Sequence, residues 1–304
     1  MREFEFIEWV RSQALADPER VEVGPGDDCA VIALGDEKLL LTADQVLDGV
    51  HFSMTRHGPA AGGRKAAARN LSDIAAMAGQ PLAMVATVAA PQGLAQADAQ
   101  AIHDGLRSVG DEFDCPLVGG DLAAWDRDDR PLQISVTVLG RSGGVGPVLR
   151  AGARPGDAVC VTGALGGAWK GRRHLSFRPR IAEARRLAAD FGLTAMIDIS
   201  DGLAADLGHV AAAGGVGAEI DAAAVPLSDR IGEGADPLTA ALTDGEDYEL
   251  LFTLAADAAD RLVRAQPLGV PVSRIGRIVA GSGLTLVRNG KPEPLDARGW
   301  EHRT

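Results

Sequence analysis

The chain has 304 residues, enough for two domains or one large α/β domain, and 46% hydrophobic content suits a globular protein with a substantial core. A formal net charge of −12 argues against nonspecific binding to nucleic acid or to an anionic membrane surface. Cys29, Cys115 and Cys160 make neither a CxxC pair nor a zinc spacing, and no signal peptide or membrane-length apolar run is apparent, so a cytoplasmic protein with reduced thiols is expected.

Aromatic residues make up 4% while glycine reaches 38, a balance that favours tight turns and close helix–sheet contacts. In chain order, apolar residues at helical spacing predict a helix over 3–14, stopped by Asp17-Pro18. Gly24-Pro25-Gly26 leads into the acidic pair Asp27-Asp28, a strand over 38–42 delivers Asp44, and a short strand is expected at 49–52. An Ala-rich helix over 62–78 carries Lys65, Arg69 and Asp73 at intervals of four along one face. A strand over 82–89, a helix over 95–113, a strand over 116–118 ending at Gly119-Gly120-Asp121, and a strand over 132–140 complete the first half. Arg141 to Pro147 reads as a linker. Beyond it come a strand over 158–162, a helix over 181–191, a strand-turn over 196–201, a helix over 203–213 with Asp201 as its N-cap, strands over 248–254 and 272–278, and a helix over 257–266. This alternation predicts two α/β or α+β domains, spanning 1–142 and 148–304.

The segment Ile197-Asp198-Ile199-Ser200-Asp201-Gly202-Leu203 crowds two carboxylates and a hydroxyl among residues that otherwise read as a buried strand. Ionised aspartates placed there repel one another and lose hydration, so they call for a cation. Asp28, Asp44, Asp73, Asp121 and the acids of Asp244-Gly245-Glu246-Asp247 repeat the pattern. Singly, each has a plain explanation as a turn, a strand end, a helix cap or a solvated face. Together they fit one site holding several divalent ions, because acids after strands and beside glycines gather at the edge of an α/β sheet. His51 is as readily a cap for local backbone as a ligand contact, Arg178-Pro179-Arg180 as readily a solvated loop as a phosphate site, and Trp300 as readily a tail anchor. No GxxxxGK[ST], GxGxxG, HExxH or GxSxG motif occurs.

Gly26-Asp27-Asp28-Cys29-Ala30, Asp44 to Phe52, Lys65 to Met77, Gly119-Gly120-Asp121, Arg150 to Asp157 with Val161-Thr162-Gly163, Ile197 to Leu203 and Gly245 to Leu250 stand in the order seen in thiamine-monophosphate kinases. The resemblance spans roughly residues 24 to 300 and places the chain in the aminoimidazole ribonucleotide synthetase-like superfamily. It implies a homodimer whose N-terminal sheets pair into a β-barrel, a C-terminal α/β domain on each subunit, and ATP-dependent phosphorylation of thiamine monophosphate. By position it implies magnesium ligands at Asp28, Thr42, Ala43, Asp44, Asp73, Asp121 and Asp198, with an additional metal at Asp201. It implies ATP contacts at Gly120, Asp121, Arg150 and Ser200, and thiamine-phosphate contacts at His51, Glu246 and Trp300, with Asp44, Asp121 and Arg150 nearest the chemistry. The chain departs from the pattern at Ala43, where Thr is usual and only a backbone carbonyl remains to bind; at Asp244, where Gly is usual; and after Trp300, where the common His-Phe pair is missing.

The chemistry is consistent with that implication. A phosphate monoester with a second pKa of about 6 is already ionised near neutral pH, so it attacks without a general base. Its difficulty is approaching an anionic nucleotide, which several Mg²⁺ ions and Arg150 would ease. Direct in-line transfer is expected. The alternatives are another ATP-dependent synthetase of the same superfamily, of which a selenophosphate synthetase would need a reactive cysteine or selenocysteine near the N-terminus and a hydrogenase-maturation enzyme a C-terminal cysteine, and a noncatalytic divalent-metal module, which leaves Arg150, His51 and Trp300 unexplained.

Overall fold

In the N-terminal half, strand residues alternate between buried and partly exposed, the signature of a sheet covered on one face. The computed structural model describes residues 3–14, 17–232 and 234–301. Helix α1 (Glu3–Gln13) precedes β1 (Val21–Val23), β2 (Ala30–Leu34) and β3 (Glu37–Leu47); α2 (Met54–His57) and α3 (Pro59–Ala76) lead to β4 (Gln80–Ala90), α4 (Gln96–Glu112), β5 (Leu117–Ala124) and β6 (Gln133–Arg141). These strands form a six-stranded sheet in the order β1-β2-β3-β6-β4-β5, antiparallel except for the β4–β5 pair. Ile134, Val136 and Val138 of β6 point to the covered face, whereas the sheet's other face exposes Leu41 and Val85.

Helix α3 owes its position to small residues. A Cβ on Gly63 would sit 2.2 Å from the Ile102 carbonyl oxygen of α4, and one on Gly105 would sit 2.1 Å from that of Ala60. The two helices therefore cross in backbone contact, which only glycine permits.

The second half contains β7 (Ala158–Thr162), α5 (Ile181–Phe191), β8 (Leu193–Asp198), α6 (Leu203–Gly214), β9 (Gly217–Asp221), α7 (Pro237–Thr243), β10 (Leu250–Leu254), α8 (Ala256–Ala265), β11 (Val272–Val279), β12 (Gly283–Arg288) and β13 (Lys291–Leu295). They build a seven-stranded mixed sheet, β13-β12-β9-β11-β7-β10-β8, with β12 and β9 parallel. Every residue of β7 and β10 is buried, so both faces of this sheet are covered. One core holds Leu203, Leu207 and Val210 of α6. The other runs from Leu71 and Ile74 of α3 to Met196, Phe252 and Leu254, joining the two halves.

Several expectations are revised. Residues 49–52 form a bend, not a strand, because the backbone turns back on itself with Gly49 N–H donating to Phe52 O at 2.8 Å. Strand β3 continues past Thr42 to Leu47, and β5 continues through Gly119-Gly120-Asp121 to Ala124. Glycine is needed inside β5, since a Cβ on Gly120 would lie 1.9 Å from Ala86 O on the neighbouring strand. Asp201 is not the N-cap of α6. Gly202 holds that position, and Asp206 reaches back from the first turn to accept the N–H groups of Asp201 and Gly202 at 3.2 and 3.1 Å.

Candidate active site

Pleat alternation puts Thr42 and Asp44 on the face of β3 that α3 covers, and turns Ala43 to the open face. Asp73 comes down from α3, where Thr42 Oγ1 donates to Asp73 Oδ2 at 2.5 Å. One residue earlier, Ser72 Oγ donates to Asp198 Oδ2 at 2.5 Å, so the tip of β8 from the second sheet meets α3 from the first. Asp28, in the loop before β2, completes the group: Asp28, Asp73 and Asp198 present oxygens that all lie within 4.8 Å of one another.

This crowding has an electrostatic cost. Burial, then the nearby Asp28, pushes the Asp198 carboxyl up to about 7. Burial, followed by Asp44, Asp198 and Asp28, raises Asp73 well above the ordinary carboxylate range, and burial with Asp28 takes Asp27 up to about 6. Arg150 is the guanidinium bonded to the group, donating to Asp28 Oδ2 and Oδ1 at 3.2 and 2.7 Å while its N–H donates to Asp27 Oδ2 at 3.0 Å. Converging all-oxygen donors that oppose their own ionisation fit a hard divalent cation, and Asp28, Asp73 and Asp198 suit Mg²⁺. Asp201, Asp206 and His209 make a second group of the same spacing at the start of α6.

Asp44 is fixed twice: its N–H donates to Asn70 Oδ1 at 2.9 Å, and its carboxylate lies 2.9 Å from Arg69 Nη2. Toward the other end of α3, Lys65 is fully buried and ion-paired to Glu246. Glu246 adopts φ +62 just after Gly245, and its N–H donates to Ser200 O at 2.7 Å, tying this loop to the turn that holds Asp198 and Asp201. His51 is buried, with Nδ1 accepting from Leu47 N at 3.1 Å. Trp300 is 54% exposed, and its N–H donates to Asp201 O at 2.9 Å.

Asp121 stands apart from this group within the chain. It falls in the row Gln45–Ser135–Thr87–Asp121 on the open face of the sheet, three strands from β3, or about 14 Å. Gly120 shares that distant strand. Arg178 and Arg180 are each held by a carboxylate: Arg178 pairs with Glu112 at 2.7 Å, and Arg180 binds Glu249 through two hydrogen bonds of 2.7 and 2.8 Å. Sequence reasoning passed over Ser72, Asn70 and His174, all buried polar side chains, and the Trp169 ring stacked on His174 at 4.3 Å. A serine beside Asp73 on the helix face that meets the sheet was the one available signal.

The N-terminal half, residues 26–142, matches the family model for the AIR synthase related protein N-terminal domain, and residues 154–289 match that for its C-terminal domain. A thiamine-monophosphate kinase of Rhodopirellula baltica is 38% identical across 98% of this chain and 96% of its own length. That of Escherichia coli K12 is 35% identical across 98% and 95%. The chain belongs to the thiamine-monophosphate kinase family. A solved complex of AaThiL with AMPPCP and TMP superimposes with a TM-score of 0.85 at 30% identity, covering 99% of this chain and 97% of that one.

The departure from the thiamine-monophosphate kinase pattern at Asp244 now has a physical reading, whereas positions 302–304 of the altered end after Trp300 lie outside the described residues. Asp244 has φ −71 and ψ −31 at the exposed C-cap of α7, ordinary helical values that require no glycine, whereas Gly245 at φ +69 would bring a Cβ to 2.6 Å from Ser200 O. Cys29 is buried, and burial with the surrounding aspartates pushes its thiol well above the ordinary range, so it offers no thiolate near neutral pH.

Proposed function

We infer that this thiamine-phosphate kinase transfers the γ-phosphoryl group of ATP directly to the phosphate of thiamine monophosphate, releasing ADP and thiamine diphosphate. The observation that carries the reading is the convergence of Asp28, Asp73 and Asp198 from three distant parts of the chain, beside Thr42 and Asp44. Family membership and the AaThiL complex with AMPPCP and TMP support the choice of substrates.

Asp28, Thr42, Asp44, Asp73 and Asp198 would hold Mg²⁺, with Asp201 at a further ion. Bound there, Mg²⁺ supplies positive charge against the phosphate oxygens of both reactants. Arg150, released from Asp28, can turn its planar guanidinium to a phosphate oxygen. The acceptor is ionised near neutral pH and needs no base. No phosphoenzyme step is required, and the raised Cys29 thiol offers no nucleophile for one. His51 and Glu246 lie along α3 from the acids and would meet the thiamine end, where the half-exposed Trp300 indole suits stacking on a flat cationic ring.

The same reading includes a cytoplasmic homodimer, with the domain boundary between residues 142 and 148. Leu41 and Val85 on the open sheet face, with Val118 and Leu122 of edge strand β5, expose the apolar surface that pairing of two sheets into a barrel would cover. Asp121 and Gly120 lie on that strand, so their part in the ATP site belongs to the dimer. Incubating the purified protein with ATP, Mg²⁺ and thiamine monophosphate tests the core of the proposal: without thiamine diphosphate among the products it is rejected. Calorimetry with AMPPCP separates a kinase from a noncatalytic metal module, which binds no nucleotide.

A further inference from the structure

Lys65 is an unusual residue to find with no exposure in a site that handles anions. Its ammonium makes three contacts. It pairs with the Glu246 carboxylate, donates to the main-chain oxygen of His51 at 2.7 Å, and lies 3.0 Å from Nδ1 of His174. Burial and the neighbouring ammonium drive the His174 imidazole down to about 3, so the ring is neutral and Nδ1 accepts. Trp169 closes the arrangement from outside, with its ring stacked on His174 and its centroid 5.3 Å from the Lys65 nitrogen.

Two of these contacts are with the residues the functional reading places against thiamine monophosphate. Glu246 Oε2 is buried against the Lys65 ammonium, which is the cation that balances its charge. Glu246 also sits in left-handed backbone at φ +62, a conformation that persists only where its surroundings hold it. The His51 carbonyl belongs to the bend at 49–52 and is held by the same nitrogen. A single ammonium thus sets the spacing between the two segments.

We propose that Lys65 is the positioning residue of the acceptor subsite, fixing Glu246 and the His51 bend in the geometry that binds thiamine monophosphate, without itself touching ATP or the metal ligands. This rests on the kinase reading above. Methionine matches the lysine stem without its charge, so Lys65→Met leaves Glu246 buried and unbalanced, free to take a proton or swing away. The KM for thiamine monophosphate is expected to rise tenfold or more, while the KM for ATP and the Kd for AMPPCP change less than twofold. Because Lys65 acts through Glu246, Lys65→Met combined with Glu246→Gln is expected to be no worse than the more damaging single variant. A role confined to structure predicts multiplying losses in the double variant and weakened AMPPCP binding with them.

His174→Gln provides an independent check should Lys65→Met fail to fold. It loosens one anchor of the ammonium and is expected to raise the same KM about threefold to tenfold, with ATP unaffected. An unchanged KM for thiamine monophosphate in soluble Lys65→Met or, failing that, in His174→Gln overturns the assignment. If wild-type protein makes no thiamine diphosphate, the kinase reading falls and this one with it; normal wild-type turnover with an insensitive KM removes this one alone.

Discussion

Replacing Asp198 with Asn removes one negative charge from the most crowded part of the site while keeping an oxygen to accept the Ser72 hydroxyl. In the metal-free protein the wild-type carboxyl ionises only near pH 7. Against its ordinary value of 3.8, holding it ionised at pH 8 costs roughly 4 kcal/mol, at 1.36 kcal/mol per pH unit. Coulomb repulsion gives a similar scale: two carboxylates 4.8 Å apart in an effective dielectric of 20 oppose each other by about 3 kcal/mol. The exchange weakens the bond from Ser72, so a net gain of about 2–4 kcal/mol is expected for metal-free Asp198→Asn at pH 8. For a domain of this size that raises Tm by on the order of 5–10 °C. Calorimetry in EDTA, then in 10 mM Mg²⁺ (about the concentration needed to load a weak site), reads the result. Wild type is expected to gain Tm with Mg²⁺ and the variant to gain little. A metal-free variant no more stable than wild type, or one that Mg²⁺ stabilises equally, would falsify the view that these acids are held together against their own repulsion.

The pH dependence of the wild type follows from the same acids. The folded-state values of Asp27, about 6, and Asp198, about 7, exceed the ordinary carboxylate value, so folding favours their protonated forms. That contribution is complete below about pH 4 and lost as the pH rises through 6 and 7. EDTA-treated protein should therefore lose Tm over this window, and the Tm increment from Mg²⁺ should be larger at pH 8 than at pH 5. Asp44→Ala and Asp73→Ala are each expected to reduce kcat by at least a thousandfold while circular dichroism shows an intact fold; near-native kcat in either would remove that residue from the site. Gly105→Val should destabilise the protein by about 3 kcal/mol or prevent folding, because the new side chain meets the Ala60 carbonyl 2.1 Å away and backbone on both helices cannot retreat. Urea denaturation with unchanged stability would show that the α3–α4 crossing is looser than described.

Much of the site was legible because aspartates inside apolar runs are costly and therefore informative. Asp198, bracketed by Ile197 and Ile199, pointed to the tip of β8, and the four-residue spacing of Lys65, Arg69 and Asp73 put them on one face of α3. The assignment of Asp121 to the same cluster rests on motif order alone. Nothing local reveals that β5 runs on past the glycines and sets this acid three strands from Asp44. The role of Asp201 as a cap also looked sound from spacing, but Asp206 competes for the same N–H groups from inside the helix. Ser72, Asn70 and His174 escaped notice because their significance lies in partners far along the chain, such as the 126 residues that separate Ser72 from Asp198. Strands β9, β12 and β13 went unread because short segments with Gly, Pro and charged residues carry little alternation.

The placement of Lys65 and Asp73 on one uninterrupted helix has a consequence for any movement of the second half of the chain. Eight residues of α-helix span about 12 Å and are stiff along their axis. Hinge motion can tilt whatever docks at either end, but it cannot stretch the interval between them. The helix therefore works as a gauge block: a bound molecule that is too short or too long would be misregistered at one end, whatever angle the rest of the protein adopts.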